Sequence, residues 1–143
     1  MPRSRSRSSR PRSRSKSRSR SSRPPAQLAS QLRHVGLSPP QYLRRARAAA
    51  SRAGYPGVSA ITFADDGVHK LQIQTPQGRL RRFGRVGYGD FIIWSQAERN
   101  GQVPHGYALQ KQHVFRASHG ALSRQRGITD RYAPNNLAIH VLW

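Results

Sequence analysis

The sequence predicts a small α+β domain, a β-hairpin or three-stranded antiparallel sheet with two to three helices, preceded by a disordered arm. Three observations predict it. Residues 38–54 carry a full set of helix start and stop signals. Residues 68–83 alternate on either side of a Pro-Gln-Gly turn, as hairpins do. Residues 1–25 contain Arg, Lys, Ser and Pro and almost nothing else. The chain has 143 residues, so removing the arm leaves 26–143, enough for one modest domain and too little for two.

The arm, residues 1–25, holds ten cations (Arg3, Arg5, Arg7, Arg10, Arg12, Arg14, Lys16, Arg18, Arg20, Arg23) and no acid. No apolar side chain follows Met1 before Ala26, so burial cannot repay the backbone entropy of ordering it, and like charges at every second residue extend it further. Guanidinium forks suit phosphate oxygens, and Arg outnumbers Lys here nine to one. If all ten cations met phosphates of duplex DNA, affinity would fall with salt at a log–log slope of roughly −9. Alternating Arg and Ser presents no fixed geometry to base edges, so the arm is expected to read no sequence. Ten serines sit among the cations, and each phosphate added to one would bring about −1.5 to −2 charges. A serine kinase is thus an expected partner, and full phosphorylation would release the arm from a polyanion. A solubilising tail or a nuclear-import tag is the plainer alternative.

Residues 26–37 form a linker or a short helix, with Leu28, Leu32 and Val35 at helical spacing ahead of Gly36. The domain proper, 38–143, opens on Ser38-Pro39-Pro40-Gln41: a Ser N-cap, Pro in the first turn and Gln completing a capping box. Gly54 stops that helix. Tyr42, Leu43, Ala46, Ala49 and Ala50 make its apolar face. Arg44, Arg45, Arg47 and Arg52 spread over the rest, a surface suited to a phosphate backbone. Ala60–Phe63 reads as a short strand. Asp65-Asp66-Gly67 reads as a turn; adjacent carboxylates on extended chain point apart and make a poor metal or acid/base pair.

The hairpin places Val68, Leu71 and Ile73 on the outgoing strand and Leu80 and Phe83 on the return, with Arg79, Arg81 and Arg82 along it. Arg85 follows among glycines whose N–H groups suit a phosphate. Gly84-Arg85-Val86-Gly87 matches the G-x-x-G clamp of KH domains in letters only, because it follows a strand instead of joining two helices. Tyr88, Phe91, Ile92, Ile93 and Trp94 read as core, with base stacking as the second reading. Residues 95–106 read as a polar connection. Residues 107–120 read as a helix with Tyr107, Leu109, Val114, Phe115 and Ala117 inward and Gly120 ending it. His113 and His119 do not share a helix face, so no metal site with His105 is expected. The final run is expected to dock on the core as a short helix or strand, with Asn135 or Asn136 as a cap.

The whole chain carries 26 basic and five acidic residues, a net +21; subtracting the arm's +10 leaves +11 on the remainder. The domain is therefore expected to share in gripping a polyanion. With no cysteine, disulfides, thiolate-bound zinc and a Cys nucleophile are excluded. No apolar run approaches membrane-spanning length, and no secretory signal or membrane partner is expected.

The strings SPPQYLRRARAAASRAGY, HKLQIQTPQGRLRRFGRVGYGDFIIW and APNNLAIHVLW together resemble a group of small basic proteins encoded by DNA viruses, among them large viruses of algae and amoebae. The resemblance spans about residues 38–143. It rests on a helix, a KLQI…G…FG..GY.DF core and a terminal signature like SPNNLAI.ILW. The matching positions are Lys70, Leu71, Gly78, Phe83, Gly84, Gly87, Tyr88, Asp90, Phe91, Pro134, Asn135, Leu137 and Trp143. Ala133 stands where the pattern has Ser, which removes one expected helix cap. The group has no assigned activity, so the resemblance implies a viral setting and no mechanism. The arm lies outside the shared pattern and resembles protamines, viral core proteins and the arginine-rich arms of small capsid proteins.

Together these readings lead to a nucleic-acid-binding protein that neutralises and condenses or packages a genome. DNA is expected before RNA as its ligand, and the virion and host nucleus, or a cytoplasmic replication site, as its location. The expected site comprises the ten arm cations with Arg44, Arg45, Arg47, Arg79, Arg81, Arg82 and Arg85, without a cofactor. A capsid subunit whose arm faces the genome is the alternative, with self-association or other virion proteins as partners; a jelly roll would need eight strands, and three or four are legible. An Arg-Ser regulator of RNA is a further alternative, lacking the aromatic strand signatures of RNA-binding sheets. Enzymatic activity is not expected: the five acids make no carboxylate–His cluster of useful spacing.

Overall fold

The structure, a computed structural model, describes residues 23–143. Helix α1 (Ala26–Val35) ends at Gly36, whose φ of 70° lets the Leu37 N–H turn back to the Leu32 carbonyl at 2.9 Å. Leu28, Leu32, Val35 and Leu37 are buried. Each contributes about 1.5–3 kcal/mol of burial, far more than the intrinsic preference of a helix this short. The stretch read as a linker or short helix is thus a helix built into the core.

Helix α2 (Pro39–Arg52) starts as its sequence dictates. Ser38 Oγ accepts from the Gln41 N–H at 3.3 Å, and Gln41 Oε1 accepts from the Ser38 N–H at 2.9 Å. Tyr42, Leu43, Ala46 and Ala50 face inward. A 3₁₀ turn (Val58–Ala60) then feeds β1, which is only Thr62–Phe63 and shorter than the expected Ala60–Phe63. Strands β2 (His69–Gln74) and β3 (Leu80–Arg85) complete an antiparallel sheet in the order β1-β2-β3. The register pairs Phe63 with Leu71 and Leu71 with Phe83, one row of buried side chains across all three strands. The turn closes with Gly78 N–H on the Thr75 carbonyl at 2.8 Å and Gly78 at φ 85°. Asp65-Asp66-Gly67 is a turn as expected, with Asp66 Oδ1 accepting from the Val68 and His69 N–H groups at 3.0 and 2.9 Å. Val68 and Leu80, read as apolar members of the hairpin, are about half exposed at its ends.

Helix α3 (Phe91–Arg99) occupies part of the expected core run and reaches into 95–106, which was read as a connection. Its N-cap is Asp90, whose Oδ1 accepts from the Ile93 N–H at 2.9 Å. Four successive apolar residues, Phe91 to Trp94, hid the helical period behind that cap. Helix α4 (Tyr107–Gln125) runs through Gly120 instead of ending there. Its inward stripe is Ala108, Gln112, Phe115, His119 and Ser123, while Leu109 and Val114 are 63% and 58% exposed. The expected apolar face misplaced these two, and Ala117, which is also exposed, because three members of the true stripe are polar. They bond the C-terminal segment: Gln112 Nε2 to the Trp143 main-chain oxygen at 2.5 Å, His119 Nδ1 to Asn135 Oδ1 at 2.8 Å, and Ser123 Oγ to Asn136 Oδ1 at 2.7 Å.

Helix α5 (Pro134–Leu137) continues as a π-helical turn, Ala138–Leu142, packed on α2 and β3. Its N-cap is Ala133, without a side-chain bond, so neither Asn caps it: both amides are committed to α4 and the loop before α5. The α+β class stands. The described residues hold five helices where two to three were expected, because α3 and α5 carry their signals in single capping residues and tertiary bonds. With three strands, they do not form a jelly roll.

The junction of these layers is Asp90. Its Oδ2 accepts from Lys70 Nζ of β2 at 2.8 Å and from the Tyr42 hydroxyl of α2 at 2.5 Å, while Oδ1 caps α3. Lys70 also donates to the Tyr88 carbonyl at 2.5 Å, which pins the glycine-rich turn between β3 and α3. Burial, and then the Asp90 charge, hold the Tyr42 phenol well above its ordinary pKa, so at neutral pH it remains the donor.

Candidate nucleic-acid interface

Of the expected site, Arg3, Arg5, Arg7, Arg10, Arg12, Arg14, Lys16, Arg18 and Arg20 lie outside the described residues. Arg23 is exposed just before α1. The domain arginines divide by what already engages them. Arg47 donates from Nε and Nη2 to the Ile61 carbonyl at 3.1 and 2.7 Å, fastening α2 to the strand below it. Arg81 pairs with Asp130 at 3.2 Å and Arg82 with Asp65 at 2.8 Å. Arg79 stands exposed at the hairpin tip, and Arg85 at the far end of β3. The expected row of arginines along the return strand is therefore split, two of its members facing carboxylates.

Arg44 is exposed on α2, whereas Arg45 belongs to a different assembly. Arg45 and Arg52 lie seven residues apart on α2, two turns along one face. Arg99 comes to them from the end of α3 and Arg116 from the middle of α4. The four guanidiniums border one groove of about 540 Å³, floored by Ala49, Ile92, Val141 and Leu142. No Asp or Glu lines it, and none of the four is in an ion pair with a described Asp or Glu. Arg116 Nε donates to the Trp143 main-chain oxygen at 3.1 Å, which sets its direction.

Burial and neighbouring like charges both act on the groove residues. Burial, then Arg99 and Arg44, lower the Arg45 pKa from its ordinary value. The guanidinium stays charged, since an ordinary arginine titrates above about 12. Burial, then Arg116 and Arg131, lower His140 at the groove edge, keeping it neutral at pH 7. Cations held together without counter-charge are an anion site in electrostatic terms: a phosphate relieves the repulsion and gains charge-assisted hydrogen bonds.

The helix pattern points to Arg44, Arg45, Arg47 and Arg52 as a phosphate-facing surface, although Arg52 is not among the expected site residues, and it does not point to Arg99 or Arg116. Arg52 carried a signal in its seven-residue spacing from Arg45. Arg99 and Arg116 carried none, because only the packing of α3 and α4 brings them to α2.

Among the described residues, no group of three or more His, Asp or Glu side chains is placed to hold a metal ion. No described helix is long and apolar enough to cross a membrane. Comparison with family models, curated proteins and solved structures finds no match.

Proposed function

We propose that this protein binds nucleic acid, neutralising and condensing or packaging it, and that the resemblance to viral basic proteins makes a viral genome its setting, in the virion and the host nucleus. The observation that carries the reading is the groove of Arg45, Arg52, Arg99 and Arg116, which no Asp or Glu lines, on a chain whose first 25 residues add ten cations and no acid. The arm supplies a long-range, sequence-independent attraction. The groove adds a fixed line of guanidiniums, spaced by helices, along which a phosphate backbone lies. Nothing in a phosphate-directed grip reads base edges, which suits a protein that must coat a whole genome. Arm serines are the point at which a kinase would weaken that grip.

The test compares the full chain with residues 26–143 for binding to duplex and single-stranded DNA and RNA across a salt series. The full chain is expected to bind with a steep negative salt slope, and the truncated chain to bind more weakly with a shallower one. Absence of binding by the full chain in dilute buffer would refute the proposal.

A further inference from the structure

We infer that a second cleft, beside the cationic groove, takes an unpaired nucleobase, so that the domain selects single-stranded over duplex nucleic acid. The inference rests on the nucleic-acid reading above and adds the form of the ligand to it.

The cleft, of about 750 Å³, lies between the ends of β2 and β3, the glycine-rich turn, α3, α4 and the C-terminal helix. Phe83 lies buried at its base, and four further aromatic residues line it: Tyr88, Trp94, Phe115 and Trp143. Phe115 and Trp143 are stacked at 4.6 Å with 12° between their planes, and His119 stacks on Phe115 at 3.8 Å and 11°. The Trp94 indole lies so close over Gly89 that a Cβ there would sit 2.5 Å from the ring. Lys70, bonded to the Tyr88 carbonyl, fixes the backbone of the turn while the Tyr88 ring stands 68% exposed. An exposed tyrosine on a pinned backbone is well suited to stack on a flat ligand.

The polar lining selects the same ligand. Arg85 and Lys111 are exposed cations at the cleft, placed for a phosphate. The one acid in the lining, Asp90, is sealed beneath and matched by Lys70 at 2.8 Å, so it does not repel an anion. Asn135 Nδ2 donates to the His119 carbonyl and to Ser123 Oγ, which turns Asn135 Oδ1 toward His119. His119 Nδ1 must then be the donor, and the ring is locked in orientation. Phe115 is sandwiched between His119 and Trp143, so these rings form a rigid wall, and the exposed Tyr88 ring offers the open face. With guanidinium and ammonium groups beside it the cleft matches one nucleotide, its base on Tyr88 and its phosphate on the cations.

Duplex bases do not offer their faces, because each is covered by its neighbours; a cleft that binds through ring faces therefore needs an unpaired base. Continuity with the groove supports the same ligand. Leu142 and Trp143 border both, and α4 gives Gln112 and Arg116 to the groove and Lys111 and Phe115 to the cleft. A strand lying on the arginines reaches the cleft by passing Trp143.

Trp94 lines this cleft alone while Trp143 borders the groove as well, so emission of the full chain carrying Trp143→Phe reports on the cleft directly. The experiment titrates that full-length variant with a short oligothymidylate, an abasic oligomer of the same length and a duplex of equal phosphate count. The oligothymidylate is expected to quench tryptophan emission, and the other two to bind without quenching. Tyr88→Ala, at an exposed ring, is expected to weaken oligothymidylate binding by about tenfold and to leave abasic binding unchanged. Equal quenching by the duplex or the abasic oligomer, or a neutral Tyr88→Ala, would overturn the inference while leaving the nucleic-acid reading intact. Failure to bind any of the three would overturn both.

Discussion

Lys70 Nζ and Asp90 Oδ2 lie 2.8 Å apart, twenty residues distant in sequence and both almost fully removed from solvent. The pair joins the middle of the sheet to the N-terminus of α3, and Tyr42 adds α2 to the same carboxylate oxygen. Each buried polar atom of Tyr42, Lys70 and Asp90 has a hydrogen-bond partner here, which is the condition under which an ion pair survives in a core.

Removing one partner leaves the other charged and buried. Lys70→Met is expected to cost about 3–5 kcal/mol in urea-unfolding free energy. Adding Asp90→Asn, which keeps the acceptor for the Ile93 N–H and discards the charge, is expected to recover part of that loss. Equal instability of the single and double variants would show that the charges are not coupled.

Asp66 gives the fold an acid limb. Partial burial opposes ionisation, but the N–H groups of His69 and Val68 and the His69 ring outweigh it and hold this carboxyl well below the usual carboxylate range. Its folded pKa is thus below the unfolded value of about 3.9. The stability it contributes is present above that value and is lost as pH falls below it toward the folded pKa. Asp66→Asn is expected to cost less than about 1 kcal/mol at pH 7, given its partial exposure, and to flatten the urea midpoint's dependence on pH in the acid range. An unchanged acid limb would contradict this account.

The groove arginines are expected to trade stability for binding. Arg99→Gln relieves Arg45 of a like charge, so the melting temperature at low salt is expected to hold or rise. Combining it with Arg45→Gln is expected to weaken binding to all sequences alike and to make the salt slope shallower by about two units. A slope equal to that of the parent chain would show that these two side chains meet no phosphate.

His140 makes binding sensitive to pH. Burial, then Arg116 and Arg131, depress its pKa, so the free fold favours the neutral ring and loses stability as pH falls below about 6.5. A polyanion in the groove offsets the Arg116 charge beside His140 and favours the protonated ring. Affinity is therefore expected to rise as pH falls from neutrality, with uptake of a proton, and His140→Ala is expected to remove that rise. An imidazole titration by NMR that does not move on adding oligonucleotide would exclude the coupling.

Much of the fold was legible because its signals are local. The Ser38–Gln41 capping box, the turn at Pro76-Gln77-Gly78 and the Asp65-Asp66-Gly67 turn are each complete within a few residues, and each formed as read. What escaped depended on distant partners. Asp90 is an ordinary N-cap letter, yet its meaning as a junction needs Tyr42, 48 residues away. Glu98 looked like part of a loop. It lies at the end of α3, and its Oε1 accepts from the Ala108 N–H at 3.0 Å, serving the start of α4 where Gly106 offers no side chain. Leu109 and Val114 were misplaced because α4 is held by hydrogen bonds to the C-terminal segment more than by an apolar stripe.

Composition and short-range pattern by themselves determined the excess of cations, the character of the arm, the capped arginine-bearing helix and the hairpin, because charge is additive along a chain and caps and turns close within one turn of backbone. Only the tertiary structure decided which arginines remain without a carboxylate and which rings share a cleft. Those are properties of side chains brought together from different helices, and no spacing along the chain encodes the packing that does it.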